Sequence, residues 1–117
     1  MQSALQDVQL QTFIESSARN TWLHLPTISV YVRKSKRIHE GRLFACLDIA
    51  NISVELDHQR QGVFGNWFKQ AERFAQQHFE AIYVESVINP VMGEFCLRHG
   101  FARCDDNLSR NYIKQLD

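Results

Sequence analysis

Apolar residues recur along the chain at two different spacings, and the switches between those spacings divide it into elements. Leu5, Val8, Leu10, Phe13 and Ile14 roughly follow the helical repeat, which predicts an N-terminal helix near residues 3–19. Asn20 is placed to end that helix, and Pro26 prevents any helix from continuing through. Ile28, Val30 and Val32 then alternate with Ser29, Tyr31 and Arg33, the pattern of a strand with one buried face. Its continuation, Arg33-Lys34-Ser35-Lys36-Arg37, is too charged to be core, and His39-Glu40-Gly41 reads as a turn. From Arg42 the chain climbs through "LFACLDIANISVEL". That is long for one strand, so a bulge or break is expected near Ala50-Asn51. The pattern fits two long strands or three shorter ones.

Beyond Gly62 the spacing becomes helical again. Phe64, Trp67, Phe68, Ala71, Phe74, Ala75 and His78 line one face, and Asn66, Lys69, Gln70, Glu72, Arg73, Gln76 and Gln77 the other. "AIYVESVI", from Ala81 to Ile88, is apolar enough for a strand buried on both faces. Asn89 is a candidate N-cap for the next helix, Pro90 fits its first position, and Gly100 ends it. Val91, Met92, Phe95 and Cys96 would face the core. "FARCDDN" and "SRNYIKQL" read as a final hairpin turning at Asp105-Asp106-Asn107. The order of elements predicts an α/β or α+β domain with a mixed sheet.

Bulk properties narrow the function classes. The 117 residues suit one domain, and 44% apolar content is enough for a real core. Formal net charge is zero, which argues against a generic polyanion binder such as a nucleic-acid-coating protein. The apolar runs are far too short to span a membrane. Met1-Gln2-Ser3-Ala4 carries no basic region followed by an apolar stretch, so no signal peptide is expected. Cys46, Cys96 and Cys104 are odd in number and lack a CxxC pairing. They read as free thiols in a reducing, cytoplasmic compartment. The five histidines are scattered, and no metal site is expected.

The chemistry concentrates in "ELDHQRQGVFGNWFKQAERF", where a strand runs into a helix around Gly62. Such a junction aims free backbone N–H groups at one point, and the helix dipole adds positive charge there. Gly62 permits close approach of the backbone, and Arg60 could add a formal charge. The geometry suits a pyrophosphate. The Walker pattern and GxGxxG are both absent. "VELDHQRQGVF" resembles the acyl-CoA-binding signature of the GNAT superfamily of N-acetyltransferases, Gln/Arg-x-x-Gly-x-Gly/Ala. Gln59 and Gly62 fit it, and Phe64 departs from it. "NPVMGEFCLRHGF" is similar to the family's Asn-led helix that ends in Gly-Phe, through Asn89, Gly100 and Phe101. The resemblance spans roughly Ile28 to Ile113. The family places a strand and two helices before its second strand, and this chain has room for about one helix.

The resemblance implies acetyl-CoA as cosubstrate and a GNAT-like, mostly antiparallel twisted sheet flanked by helices. Backbone amides from Gln61, Gly62, Val63, Phe64 and Gly65, with Gln59 and Arg60 beside them, would bind the CoA pyrophosphate. Val54 and Asn89 would meet the pantetheine arm. A neutral primary amine on a small molecule or a protein would attack the thioester between two splayed strands. Cys96 occupies the position where the family often has an acidic tyrosine. Carboxylates in apolar strands need a partner or a raised pKa, which makes Asp48 and Glu85 the more informative base candidates, ahead of Glu55. His58 fits a solvated turn. The rival readings are a non-catalytic acyl-CoA-binding module and a nucleic-acid module using Arg33, Lys34, Lys36, Arg37 and Arg42. A missing edge strand would give the domain reason to pair with a second copy.

Overall fold

The computed structural model describes residues 2–24, 28–54, 63–85, 90–104 and 110–116. Helix α1 (Gln2–Glu15) buries Leu10, Phe13 and Ile14, while Val8 stands exposed. It stops four residues short of the sequence expectation because of Ser16. That hydroxyl donates to the Phe13 carbonyl at 2.7 Å and accepts the Ala18 N–H at 3.2 Å. A serine side chain that takes over backbone hydrogen bonds gives the chain an alternative to another helical turn.

Strand β1 (Asn20–His24) was not expected, since Asn20 read as a helix end. Its five residues pair antiparallel with β2 (Ile28–His39), and Leu23 enters the core opposite Val30. β2 runs straight through the charged segment. A two-residue turn, Glu40-Gly41, joins it to β3 (Arg42–Val54), with His39 paired to Arg42. Both turn residues have positive φ, 50° and 79°, as a hairpin turn matched to strand twist requires. The region is therefore two long strands with a bulge at the expected place. Val32 pairs Ile49 and Tyr31 pairs Asn51, so Ala50 is the extra residue.

Helix α2 (Val63–His78) is the crossover from β3 to β4 (Ala81–Val84), its parallel neighbour. Trp67, Phe68, Ala71 and Ala75 are buried, but His78 is exposed rather than core-facing. β4 is buried on both faces and ends at Val84, and the remainder of the strand expected to Ile88 lies, beyond Glu85, outside the described residues. Helix α3 (Pro90–Arg98) begins at the proline and ends where Gly100 takes φ +87°, the left-handed conformation a helix C-terminus favours. β5 (Ala102–Arg103) and β6 (Tyr112–Gln115) form the final hairpin, and its turn lies outside the described residues.

The six strands form one mixed sheet in the order β1-β2-β3-β4-β6-β5, antiparallel except for β3–β4. The large core lies on one face, where side chains from all three helices meet Val30, Val32, Leu47, Ile49, Ile82 and Val84. A smaller cluster of Phe44, Cys46, Ala81, Tyr83 and Ile113 lies on the other face. None of the described helices is long and apolar enough to cross a membrane. The three cysteines are free thiols.

Candidate functional site

The parallel β3–β4 ladder is short. It runs from the Cys46–Ala81 pair to the Ile49–Val84 pair, and a last bond carries the Glu85 N–H to the Ile49 carbonyl at 3.1 Å. The Ala50 bulge follows at once. β3 then continues to Val54, paired among the described residues only with β2, so the described parallel ladder ends at Ile49 and Glu85. Strand register decides what surrounds that point. Leu47 and Ile49 face the helices, which puts Asp48 on the opposite face, beside Tyr83 of β4 and Glu85 just past its end.

Asp48 is fully buried, and the charged run of β2 supplies its partners. Arg33 lies directly opposite Asp48, and Arg37 is two strand repeats further on the same face. Arg37 Nη2 reaches Asp48 Oδ2 at 2.5 Å and Glu85 Oε1 at 3.0 Å. Arg33 Nη2 bonds Glu85 Oε2 and lies 3.5 Å from Asp48 Oδ2, and Ser35 Oγ donates to that same oxygen at 3.4 Å. Two arginines and two carboxylates thus form a neutral quartet. Its other Asp48 oxygen, Oδ1, and Arg37 Nε are buried without a hydrogen-bond partner among the described residues. The Arg37 guanidinium also lies 4.4 Å over the Tyr83 ring.

The electrostatics follow from this packing. Burial raises the Asp48 pKa from its ordinary value to about 6; the nearby Glu85 charge adds to the rise, and the Arg37 hydrogen bond opposes it. Burial lowers the Arg37 pKa, yet the Asp48 hydrogen bond and charge leave it above its ordinary value. Burial pushes the Tyr83 phenol to about 12 and the Cys46 thiol to about 11.

Sequence reasoning found both carboxylates and missed their arginines. The signal was there in principle: Arg33, Ser35 and Arg37 recur at the strand period opposite a lone aspartate. The basic run is also less of a patch than it reads. Lys34 donates to the Ser16 carbonyl at 2.6 Å and sits over Phe13, and Arg42 sits over Phe44 near Glu80. Cys96 is on the helical side of the sheet, buried in the main core, where burial raises its thiol to about 11. The third catalytic candidate is thus separated by the sheet from the other two.

Of the expected cofactor residues, Gln59, Arg60, Gln61, Gly62 and Asn89 lie outside the described residues, as do Glu55 and His58. Val63, Phe64 and Gly65 form the first turn of α2. The N–H groups of a first turn have no partner within the helix, and no acidic residue sits there to satisfy them. A Cβ placed on Gly65 would touch the Phe95 ring at 3.6 Å, so that turn lies against α3. Val54 ends β3 opposite Ile28. Among the described residues no group of three His, Cys, Asp or Glu side chains is arranged to hold a metal ion.

No family model and no curated protein matches the sequence. Solved structures do. The AtaT toxin, as a tyrosine-to-phenylalanine variant bound to the antitoxin AtaR C-terminus and acetyl-CoA, superposes with a TM-score of 0.64 at 12% identity. That match covers 77% of this chain and 59% of AtaT, so the chain spans under two thirds of its length. A tyrosine-to-phenylalanine variant of KacT matches with TM-score 0.62 at 13% identity, over 93% of this chain and 82% of KacT. A GNAT-family acetyltransferase from Listeria monocytogenes matches with TM-score 0.59 at 15% identity, over 80% of this chain and 59% of its own. The chain has the fold of these acetyltransferases.

Proposed function

We propose that this chain, built on the GNAT fold, is an acetyl-CoA-dependent N-acetyltransferase acting on a primary amine of a small molecule or a protein. The observation that carries the reading is the carboxylate pair Asp48–Glu85, held on the sheet face opposite the described helices, at the end of the described β3–β4 ladder. An amine at pH 7 is mostly protonated and must lose that proton before it can attack a thioester. Glu85 is the partly exposed member of the pair and takes the proton. Asp48, buried behind it, is raised by that burial to a pKa of about 6. Arg33 and Arg37 hold the pair in place.

The cosubstrate would enter from the other face. The first turn of α2, with its N–H groups and positive helix end, would meet the pyrophosphate, and the Gln59 to Gly62 motif supports that reading from the sequence. The thioester carbonyl would sit in the gap beyond Ile49, with the Val54 and Asn89 segments along the pantetheine arm. The amine nitrogen attacks the carbonyl carbon, the tetrahedral adduct gives its second N–H proton to solvent and expels CoA thiolate, and the new amide leaves with the acetyl group. Cys96 is assigned to packing. A thiol near 11 is a weaker acid than an ordinary alkyl thiol near 8.5, so the thiolate takes its proton from solvent.

Release of free CoA thiol in the presence of a panel of polyamines, aminoglycosides and N-terminal peptides tests the reading. Glu85→Gln should lower kcat/KM by about 10²–10⁴-fold, the usual contribution of a general base, while leaving acetyl-CoA affinity in place. An unchanged kcat/KM in that variant would contradict the assignment. The arginine pairing of both carboxylates also favours a second reading, a non-catalytic acyl-CoA binder whose quartet is structural. Tight acetyl-CoA binding by the parent protein with no turnover on any amine would select it.

A further inference from the structure

We infer that Arg33 is a specificity-determining residue of the site: it caps Glu85 in the free protein and gives up its place to the ammonium group of an aliphatic amine acceptor. This rests on the reading of Glu85 as the proton acceptor. The geometry separates the two arginines. Arg37 is anchored several times over, to Asp48 Oδ2 at 2.5 Å, to Glu85 Oε1 at 3.0 Å and across the Tyr83 ring at 4.4 Å. Its Nε is buried. Arg33 has one close bond, from Nη2 to Glu85 Oε2, and its distance to Asp48 is 3.5 Å. No aromatic ring lies under its guanidinium among the described residues. Both members of the Arg33–Glu85 pair reach solvent, with side chains 38% and 20% exposed, whereas Asp48 does not.

Charge decides which acceptor can enter. Two guanidinium groups balance two carboxylates around a fully buried Asp48. A cation added to the intact quartet would leave an excess positive charge beside two arginines, where burial weakens screening. A cation exchanged for Arg33 keeps the balance. Arg37 is not the one to leave, because Asp48 would lose its closest cation. The Arg33 guanidinium can instead swing into water on its flexible aliphatic stem. A hydroxyl or an aromatic amine, neutral at pH 7, offers Glu85 no charge in exchange. The acceptor class is therefore an aliphatic primary amine, which is protonated at pH 7.

The proton then moves within the pair just formed. The ammonium gives one N–H proton to Glu85 Oε2, the N–H bond breaking as the O–H bond forms, and leaves a neutral amine beside a carboxylic acid. Arg37 and Asp48 stay paired, so the site is neutral before and after the transfer. Glu85 no longer holds the amine by charge, and the nitrogen lone pair is free for the thioester. Glu85 passes its proton to water, becomes a carboxylate again and takes Arg33 back.

Titration of the full chain with n-butylammonium, followed by NMR at the Arg33 side-chain N–H groups and the Glu85 amide, tests the exchange without requiring turnover. The amine should release the Arg33 signals to their solvent-exchanging form and saturate, while the Arg37 signals hold. Tetramethylammonium, which has no N–H, should do neither at equal concentration. Arg33→Ala removes the internal competitor, so the Glu85 amide shift should saturate at about one fifth of the parent's amine concentration, the factor set by an ordinary exposed ion pair. Arg33→Lys should behave like the parent. So should Arg42→Ala, which removes the same charge from its pair with Glu80. With an amine that turns over, Arg33→Ala should lower KM by the same factor, with the gain absent from kcat. An Arg33 that stays bound at saturating amine would overturn the inference, as would an Arg42→Ala effect equal to that of Arg33→Ala. Either result in an enzyme that Glu85→Gln inactivates overturns the exchange alone. Turnover that Glu85→Gln leaves unchanged overturns the base reading and the exchange with it.

Discussion

Asp48 is ionised at neutral pH against the preference of its surroundings. Its folded-state pKa of about 6 lies above the ordinary value of 3.8, so the folded protein binds more protons than the unfolded chain between those limits. Its contribution to stability is therefore full below about pH 4 and lost as pH rises through 6. Thermal unfolding of the parent and of Asp48→Asn should show the parent losing ground to the variant between pH 5 and pH 7. If the pair is the catalytic base, kcat/KM should fall on an acid limb near pH 6 and that limb should move in Asp48→Asn. Arg37→Ala leaves the buried carboxylate short of its closest cation and should cost about 3 kcal/mol at pH 7, and clearly less at pH 5 where Asp48 is protonated. At a simpler site, Gly100→Ala should cost about 1 kcal/mol, because φ +87° is unfavourable for any residue with a Cβ. Denaturant titrations measure both. The carboxylates were legible in the sequence because an ionisable group in an apolar run demands explanation. The arginines were not, because a basic run looks solvated until register shows what lies opposite it.

At the scale of elements, the strongest periodic signals survived and the weak ones did not. α2 and α3 were legible from apolar spacing and from Pro90 and Gly100. The Ala50 bulge was legible because the inward positions slip from Leu47 and Ile49 to Ile52. β1 was invisible: five mixed residues after a helix carry little pattern, and tertiary pairing with β2 makes them a strand. The β2–β3 turn offers a test of local chemistry. Glu40 has φ 50° at a position where asparagine is preferred, so Glu40→Asn should stabilise the protein by about 0.5–1 kcal/mol. Phe68 joins α2 to α3, edge-on to Phe95 at 5.6 Å and 5.5 Å from Phe101, and is fully buried. Phe68→Ala should cost about 3–5 kcal/mol in a chemical denaturation experiment.

For the whole molecule, the fold class was legible from the order of elements, and the six-stranded sheet with one parallel pair bears it out. The two faces divide the work: helices and the main core on one, the charged quartet and a small cluster on the other. The proposed cofactor end rests on the sequence motif around Gly62 and on the first turn of α2, whose N–H groups have no partner within the helix, so the account stands or falls on acetyl-CoA binding there. The direct measurement is thermal unfolding with and without acetyl-CoA, with desulfo-CoA and dephospho-CoA as companions. Ligand at one hundred times its dissociation constant adds about 2.7 kcal/mol and moves the midpoint by several degrees. The account predicts that shift with acetyl-CoA and desulfo-CoA alike, because the pyrophosphate carries the recognition. An unchanged midpoint at millimolar acetyl-CoA would contradict it and leave the Gly62 junction a plain strand-to-helix turn.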